Sequence, residues 1–333
     1  MRRGTQMRIG VIGRVEPDMF GANVAEAARD AGHVVIELGP ARTVHRGRAT
    51  RGMASLALQS LPRLDQRVQR RLVRAAADAT CDLVLSLDAR LMPEAVAGMR
   101  RNGARVALWF PDAVVNLGRA LMLMAPYDAL YFKEPRLVDR LRAMLDLPVY
   151  YLPQACNPRC HRPLVPAGTD PYLVVAGNMY PSRVRLLERL IAKGIPVKAY
   201  GSAIAGWIGD SPVRAIHAGY PIFTEEKARV FRSAAGVLNN LHPGEMDGVN
   251  LRLFEAAGSG AAVLTEFRPA LPDLFEAGTE VLVFRDFDEL VAQASRLLDE
   301  PGLTTRLGDA AARRAHRDHT LAQRVATIIE TVA

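Results

Sequence analysis

Residues Ala235–Thr265 read AGVLNNLHPGEMDGVNLRLFEAAGSGAAVLT. The apolar run at Ala235–Leu238 has the length and composition of a buried strand. A polar loop of Asn, His, Pro and Gly follows it. Leu251–Gly258 then carries apolar residues at helical spacing, and Gly258-Ser-Gly260 closes it, as a glycine past a helix end does. Ala262–Thr265 returns to a strand pattern. Strand, loop, helix and strand in so short a span form the repeating unit of a parallel sheet.

The alternation extends both ways. After residue 171 it predicts strands at Tyr172–Ala176, Val197–Tyr200 and Glu280–Phe284, and helices at Arg183–Lys193, Lys227–Ala234, Leu271–Glu276, Asp288–Glu300 and Gly302–Val332. Before residue 153 it predicts strands at Met7–Gly13, His33–Leu38, Asp82–Leu87, Arg105–Phe110, Ala129–Phe132 and Val149–Leu152. Helices over Val24–Ala31, Leu61–Ala79, Pro93–Asn102 and Pro135–Leu145 lie between them. Continuously apolar strands mean sheets covered on both faces. Pro153–Pro171 holds five of the 21 prolines and reads as a linker. The expected architecture is α/β, with two Rossmann-like, doubly wound parallel sheets. Its parts are a first domain over 1–152, a linker over 153–171, a second domain over 172–318, and a terminal helix over 319–333 that returns to the first domain. Such sheets bind ligands at the carboxyl ends of their strands, and two of them facing each other would leave a cleft for a small ligand.

A chain of 333 residues is long enough for two such domains. Its 43 basic and 35 acidic residues leave a net charge of +8. The excess sits in residues 1–75, which hold 14 Arg and 6 Asp or Glu. Solvated arginine faces explain this, as would an anionic partner: nucleic acid, a membrane surface or a phosphorylated substrate. Aromatic residues, at 6 %, are not interleaved with the arginines, which argues against a single-strand nucleic-acid platform; peripheral membrane contact stays open. No run approaches the roughly 18 apolar residues of a membrane helix, and Arg2 and Arg3 precede no apolar core of signal-peptide type. Three cysteines, Cys81, Cys156 and Cys160, are too few for a disulfide framework and point to a reducing cytoplasm. Cys156, Cys160 and His161 offer three ligands at poor spacing for zinc, so no metal site is expected. Gly10-Val-Ile-Gly13 falls short of Gly-x-Gly-x-x-Gly, which argues against a nicotinamide cofactor. Trp109 and Trp207 read as packing or pocket wall.

The chemistry concentrates in the opening stretch. The first turn of the Leu251 helix offers unpaired N–H groups and a positive dipole end, which suit a diphosphate. Gly248, Val249 and Asn250 lead into it, and Asn250 can cap it. Arg252 can add a charge-assisted bond. Glu255, one turn on, can accept two hydrogen bonds from a ribose diol. Asp247, near the loop tip, can meet the sugar or the reacting centre. On the plainer alternative, Arg252 and Glu255 form a local surface ion pair and the two glycines merely end the helix. The residues alone leave both readings open.

Asn250-Leu-Arg252-Leu-Phe254-Glu255-Ala256 followed by Gly258-Ser-Gly260 resembles the carboxyl-terminal domain of group-1 glycosyltransferases, most of all the spore-maturation (CgeB-like) branch. The likeness continues through Val174–Gly201, Tyr150–Pro163 and the His319-Thr320…Arg324 ending. It implies a GT-B fold whose second domain binds a nucleotide-diphosphate sugar as co-substrate, with no tightly bound cofactor and no divalent metal. Glu255 matches the glutamate that holds the donor ribose. Asp247 falls where relatives place the first acid of a Glu-x7-Glu pair, so Asp for Glu is a departure; the retained spacing favours a retaining mechanism. Asn178, Arg183 and Arg185 follow the first strand of the second domain, where relatives place cationic ligands of the diphosphate. For the two arginines, an exposed helix face is the alternative. Tyr200, Gly201 and His217 follow strands that border the base. In the first domain, Gly21 and Asn23 open a helix that faces the acceptor, and the basic loop with Arg46 and Arg48 rims it. An inverting enzyme takes its base from this domain, where Asp112 and Asp88 end strands; a cap or turn role is the alternative for Asp112. The competing functional reading is a non-catalytic binding module: a degenerate GT-B fold, or a basic surface for nucleic acid or anionic membrane.

Overall fold

A computed structural model describes residues 6–42, 62–117, 121–165 and 170–333. Arg46 and Arg48, with most of the predicted basic loop, lie outside the described residues. The chain divides into two compact units, Met1–Leu152 with Ala322–Ala333, and Pro153–Leu321.

The first unit is built on a six-stranded parallel sheet, ordered β2-β1-β3-β4-β5-β6. Its strands are β1 (Arg8–Ile12), β2 (Val34–Gly39), β3 (Leu83–Ser86), β4 (Arg105–Phe110), β5 (Ala129–Phe132) and β6 (Val149–Tyr151). Every residue of β3 and β5 is buried, as strands covered on both faces must be. On one face Val84, Val106, Leu108 and Phe132 share a core with Leu72, Val96, Met99 and Val138. These four come from the helices α2 (Pro62–Asp78), α3 (Pro93–Arg101) and α4 (Pro135–Leu145). On the other face Trp109 is fully buried. It packs edge-on against Phe20, 4.8 Å between centroids, in α1 (Phe20–Asp30). Trp109 is thus packing, whereas Trp207 is 58 % exposed. On α2, Arg63, Arg67, Arg70 and Arg74 are exposed, and their spacing of three and four places them in one row. Part of the amino-terminal charge excess therefore lies on a solvated helix face.

The second unit holds a five-stranded parallel sheet, ordered β11-β10-β9-β7-β8. Its strands are β7 (Asp170–Ala176), β8 (Val197–Tyr200), β9 (Ala234–Asn239), β10 (Val263–Glu266) and β11 (Leu282–Phe284). Helices α5 (Pro181–Ala192), α6 (Val213–Ile216), α7 (Thr224–Ser233), α8 (Leu251–Gly258), α9 (Phe287–Asp299) and α10 (Pro301–Asp318) connect and cover them. In each sheet the strand order changes direction, beside β1 and β3 and beside β7 and β9, which opens a crevice at their carboxyl ends. The expected single helix over Gly302–Val332 is two, α10 and α11 (Leu321–Val332). His319 and Thr320 break it: the His319 carbonyl accepts from the Cys156 N–H at 2.9 Å and its ring meets the Leu274 carbonyl at 2.7 Å. The helix expected at Leu271–Glu276 is a single 3-10 turn over Leu271–Asp273. Among the described residues no helix is long and apolar enough to cross a membrane.

Candidate active site

In the second unit the crevice is centred on Gly177, the residue after β7. Its φ of +129° suits glycine. A Cβ there would lie 3.0 Å from Arg183 Nη1 and 3.7 Å from Arg252 Nη2. Two guanidinium groups, from α5 and α8, thus converge on one stretch of bare backbone. Gly201, after β8, approaches as closely: a Cβ on it would run into the Gly177 carbonyl and come within 3.7 Å of His217 Nε2. Side chains from three connections meet here because the strands before them end together.

Arg183 is 6 % exposed. All its partners are neutral: Nε donates to Asn240 Oδ1 at 2.8 Å, Nη1 to the Asn178 carbonyl at 2.8 Å, and Nη2 to Tyr180 Oη at 2.9 Å and the Asn240 carbonyl at 3.1 Å. The group also stacks 4.4 Å from the Tyr180 ring centroid. Among the described residues no carboxylate pairs with it. Burial pulls its pKa down, and the nearby Arg252 charge adds to the effect. Asn178 contributes through its main chain. Arg185 does not join the site: its side chain is 77 % exposed and faces Glu188 at 3.3 Å. Two residues apart on a helix, the two arginines point about 200° apart, so only one can face the crevice.

The α8 segment places its candidate residues differently. Asn250 caps the helix, its Oδ1 accepting from the Leu253 N–H at 3.3 Å. Val249 is 1 % exposed and packs in the core. Asp247 is buried, and its carbonyl accepts from the Ala270 N–H at 3.0 Å. Glu255, however, is 2 % exposed and does not present its carboxylate to open space. Oε1 accepts from Lys227 Nζ at 2.7 Å, and Oε2 accepts from Arg252 Nη1. His161 Nε2 stands 3.6 Å from Oε1. Because His161 Nδ1 accepts the Asn157 N–H at 3.0 Å, the ring proton belongs on Nε2, facing the carboxylate. Both oxygens of Glu255 are thus engaged by cations in the interior. The physical cause is α7, which brings a buried lysine to the inner side of α8. Arg252 itself is reached by Glu255 at one end, while its Nε has no hydrogen-bond partner among the described residues.

Around this centre Tyr200 is 4 % exposed, edge-on to Tyr220 at 5.8 Å. His217 Nδ1 accepts the Gly219 N–H at 2.9 Å, which leaves the proton on Nε2. That atom is buried without a partner among the described residues, and burial lowers the imidazole pKa. Sequence reasoning missed Gly177, Tyr180, Asn240 and Lys227, and weighed His161 only as a metal ligand. A strand-ending glycine and the Asn239-Asn240 pair after β9 were visible in the chain; the buried lysine left no local trace. The chain's one Asp-x-Asp spacing, Asp286-Phe287-Asp288, opens α9, where Asp286 caps by accepting the Glu289 N–H at 2.9 Å.

The first unit has its own cleft of about 530 Å³, at the carboxyl ends of β1, β3 and β4. Gly21, Asp88, Arg90, Phe110 and Asp112 line it. Asn23 does not; it is buried in α1. Asp88 is committed to Arg90, which grips both its oxygens, Nε on Oδ1 at 2.7 Å and Nη2 on Oδ2 at 2.6 Å. That bond also raises the Arg90 pKa. Asp112 is exposed, with Oδ1 accepting the Ala113 N–H at 2.8 Å.

Residues 183–330 match the model of a family described as glycosyl transferase-like. A comparison with curated proteins finds no match. Among solved structures, sucrose-phosphate synthase of Thermosynechococcus elongatus aligns over 98 % of this chain and 99 % of its own, at 14 % identity and a TM-score of 0.68. HepE of Anabaena, solved with UDP and glucose, aligns over 98 % and 99 % at 12 % identity and 0.65. A trehalose-6-phosphate protein of E. coli, solved with UDP-2-fluoro glucose, aligns over 98 % and 99 % at 15 % identity and 0.62. These likenesses establish the fold, two Rossmann-like domains of GT-B type.

Proposed function

We propose that the chain is a glycosyltransferase, moving a sugar from a nucleotide-diphosphate sugar to a hydroxyl group. The observation that carries this is Arg183, a buried guanidinium without a carboxylate partner among the described residues, joined by Arg252 over Gly177 at the strand ends of a parallel sheet. Holding an uncompensated cation away from water is costly, and the arrangement makes sense if an anion enters from outside. In glycosyl transfer the sugar–phosphate bond breaks through an oxocarbenium-like state. The leaving diphosphate gains charge, and fixed donors stabilise that charge where it develops. The two guanidinium groups are such donors, with the first-turn N–H groups of α8 other than that of Leu253, which Asn250 takes; they support transfer without a divalent metal or a bound cofactor. His217 Nε2–H is placed to add a neutral donor. The family match over 183–330 and the UDP-bound structures of similar fold support a nucleotide sugar as donor. The Asn250–Gly260 pattern supports the spore-maturation branch.

The acceptor hydroxyl belongs to the cleft of the first unit, with Asp112 rather than Asp88 as base. The spacing of Asp247 and Glu255 favours retention, with Glu255 held by Lys227 and Arg252. The setting is a reducing cytoplasm. Calorimetric titration with UDP, GDP and TDP sugars, followed by transfer assays, tests the reading; a folded sample that binds none of them refutes it. A second reading rests on the α2 arginine row, exposed and without carboxylate partners among the described residues: capture of a polyanion. Salt-sensitive binding to DNA or anionic vesicles, with no nucleotide affinity, would select it.

A further inference from the structure

We infer that Lys227 is a positioning residue that sets how much of the Arg252 charge is left for an incoming diphosphate, with Glu255 as the strut between them. The inference rests on the diphosphate reading of the Gly177 crevice. Lys227 is 2 % exposed and donates to Glu255 Oε1 at 2.7 Å. Arg252 takes only the other oxygen, through Nη1. A lone carboxylate beside an arginine normally takes two parallel N–H bonds and neutralises the guanidinium in full. Here the lysine occupies one oxygen, so the pairing stays single-pronged. Arg252 Nη2 then lies near Gly177, 3.7 Å from the place a Cβ would occupy, and Nε keeps its proton unshared among the described residues. The Nε2–H of His161 faces Oε1 across 3.6 Å, beyond hydrogen-bond distance. Without Lys227, Glu255 turns toward Arg252 with both oxygens and draws it off the crevice.

The test is calorimetric titration of the full-length protein with UDP, GDP and inorganic pyrophosphate, with thermal unfolding as a check on fold. Lys227→Met weakens pyrophosphate and nucleotide binding about tenfold, within the range of coupling between touching charged groups. Lys227→Arg, which keeps the cation, restores it. In Lys227→Met/Glu255→Gln the carboxylate that would capture Arg252 is gone too, and affinity returns to within about threefold of wild type; replacing both partners of a buried pair also spares the fold. A purely structural lysine predicts the opposite, a double variant no better than the single one. Unchanged binding in Lys227→Met overturns the inference while the diphosphate reading stands. So does a double variant that loses UDP but keeps pyrophosphate, which would put Glu255 on the nucleoside. A wild type that binds pyrophosphate but no nucleotide overturns the nucleotide-sugar reading and leaves the strut in place, provided the three variants rank as above. A wild type that binds neither overturns both.

Discussion

Arg183→Gln separates binding from folding. In the unliganded protein the change removes four hydrogen bonds to Asn240, Asn178 and Tyr180, each worth about 0.5–1.5 kcal/mol. It also removes a buried charge with no carboxylate partner among the described residues, beside the like charge of Arg252, and relief of that burial is worth several kcal/mol by the general cost of desolvating an ion. The terms oppose each other at similar size, and glutamine keeps some of the bonding, so stability should stay within about 1 kcal/mol of wild type. Binding has no such compensation. A hydrogen bond to a charged group contributes about 1.5–3 kcal/mol, so the Kd for a nucleoside diphosphate should rise about 10- to 150-fold. Calorimetry with UDP, GDP and TDP reads the first quantity and thermal unfolding the second. Arg185→Gln is the control, since that side chain is 77 % exposed, and its affinity should equal wild type. A folded Arg183→Gln protein with unchanged Kd would refute the claim that the buried guanidinium waits for an anion.

Three further outcomes are expected. Asp112→Asn should lower transfer about 10²- to 10⁴-fold, the usual contribution of a general base, with donor affinity intact; equal activity would remove it from the proton path. Gly308→Ala would drive a methyl into the Gly260 carbonyl and to 2.9 Å from Arg232 Nη1, so unfolding should show a loss of about 1–3 kcal/mol from overpacking, and an unchanged Tm would contradict the close approach of α10 to the end of α8. Burial holds the folded His217 pKa below its usual value, so the unfolded chain takes up the proton first; its stabilising contribution is complete above about pH 6.5 and is lost as pH falls toward the lowered folded value. His217→Gln should therefore show a stability difference from wild type that shrinks on acidification, and a difference independent of pH would count against the buried neutral ring.

The elements read most accurately were those bounded by local chemistry. Strands Arg105–Phe110, Ala129–Phe132 and Val197–Tyr200 and helices Pro135–Leu145 and Leu251–Gly258 match the structure to the residue. Proline starts α4, Asn250 caps α8, and the strands are continuous apolar runs. Elements decided at long range were read less well. The break at His319 depends on Cys156 and Leu274, far away in the chain, while α1 starts at a Met19 cap that makes no side-chain bond and so carries no mark.

The site divides along the same line. Helical periodicity shows that Arg183 and Arg185 cannot both face the crevice, but not which one does; Asn240 decides that, from 57 positions away. Arg252 and Glu255 pose the sharper case, because their i, i+3 spacing predicts an ion pair and, equally, a guanidinium and a carboxylate turned toward a ligand. Choosing between these requires knowing what stands beneath Glu255. It is Lys227, 28 positions earlier on α7, and a buried cation draws a carboxylate inward more strongly than a solvent-facing diol holds it outward. Once that contact forms, Arg252 takes one oxygen of its neighbour and keeps Nη2 near Gly177, the arrangement on which the proposed role of Lys227 rests.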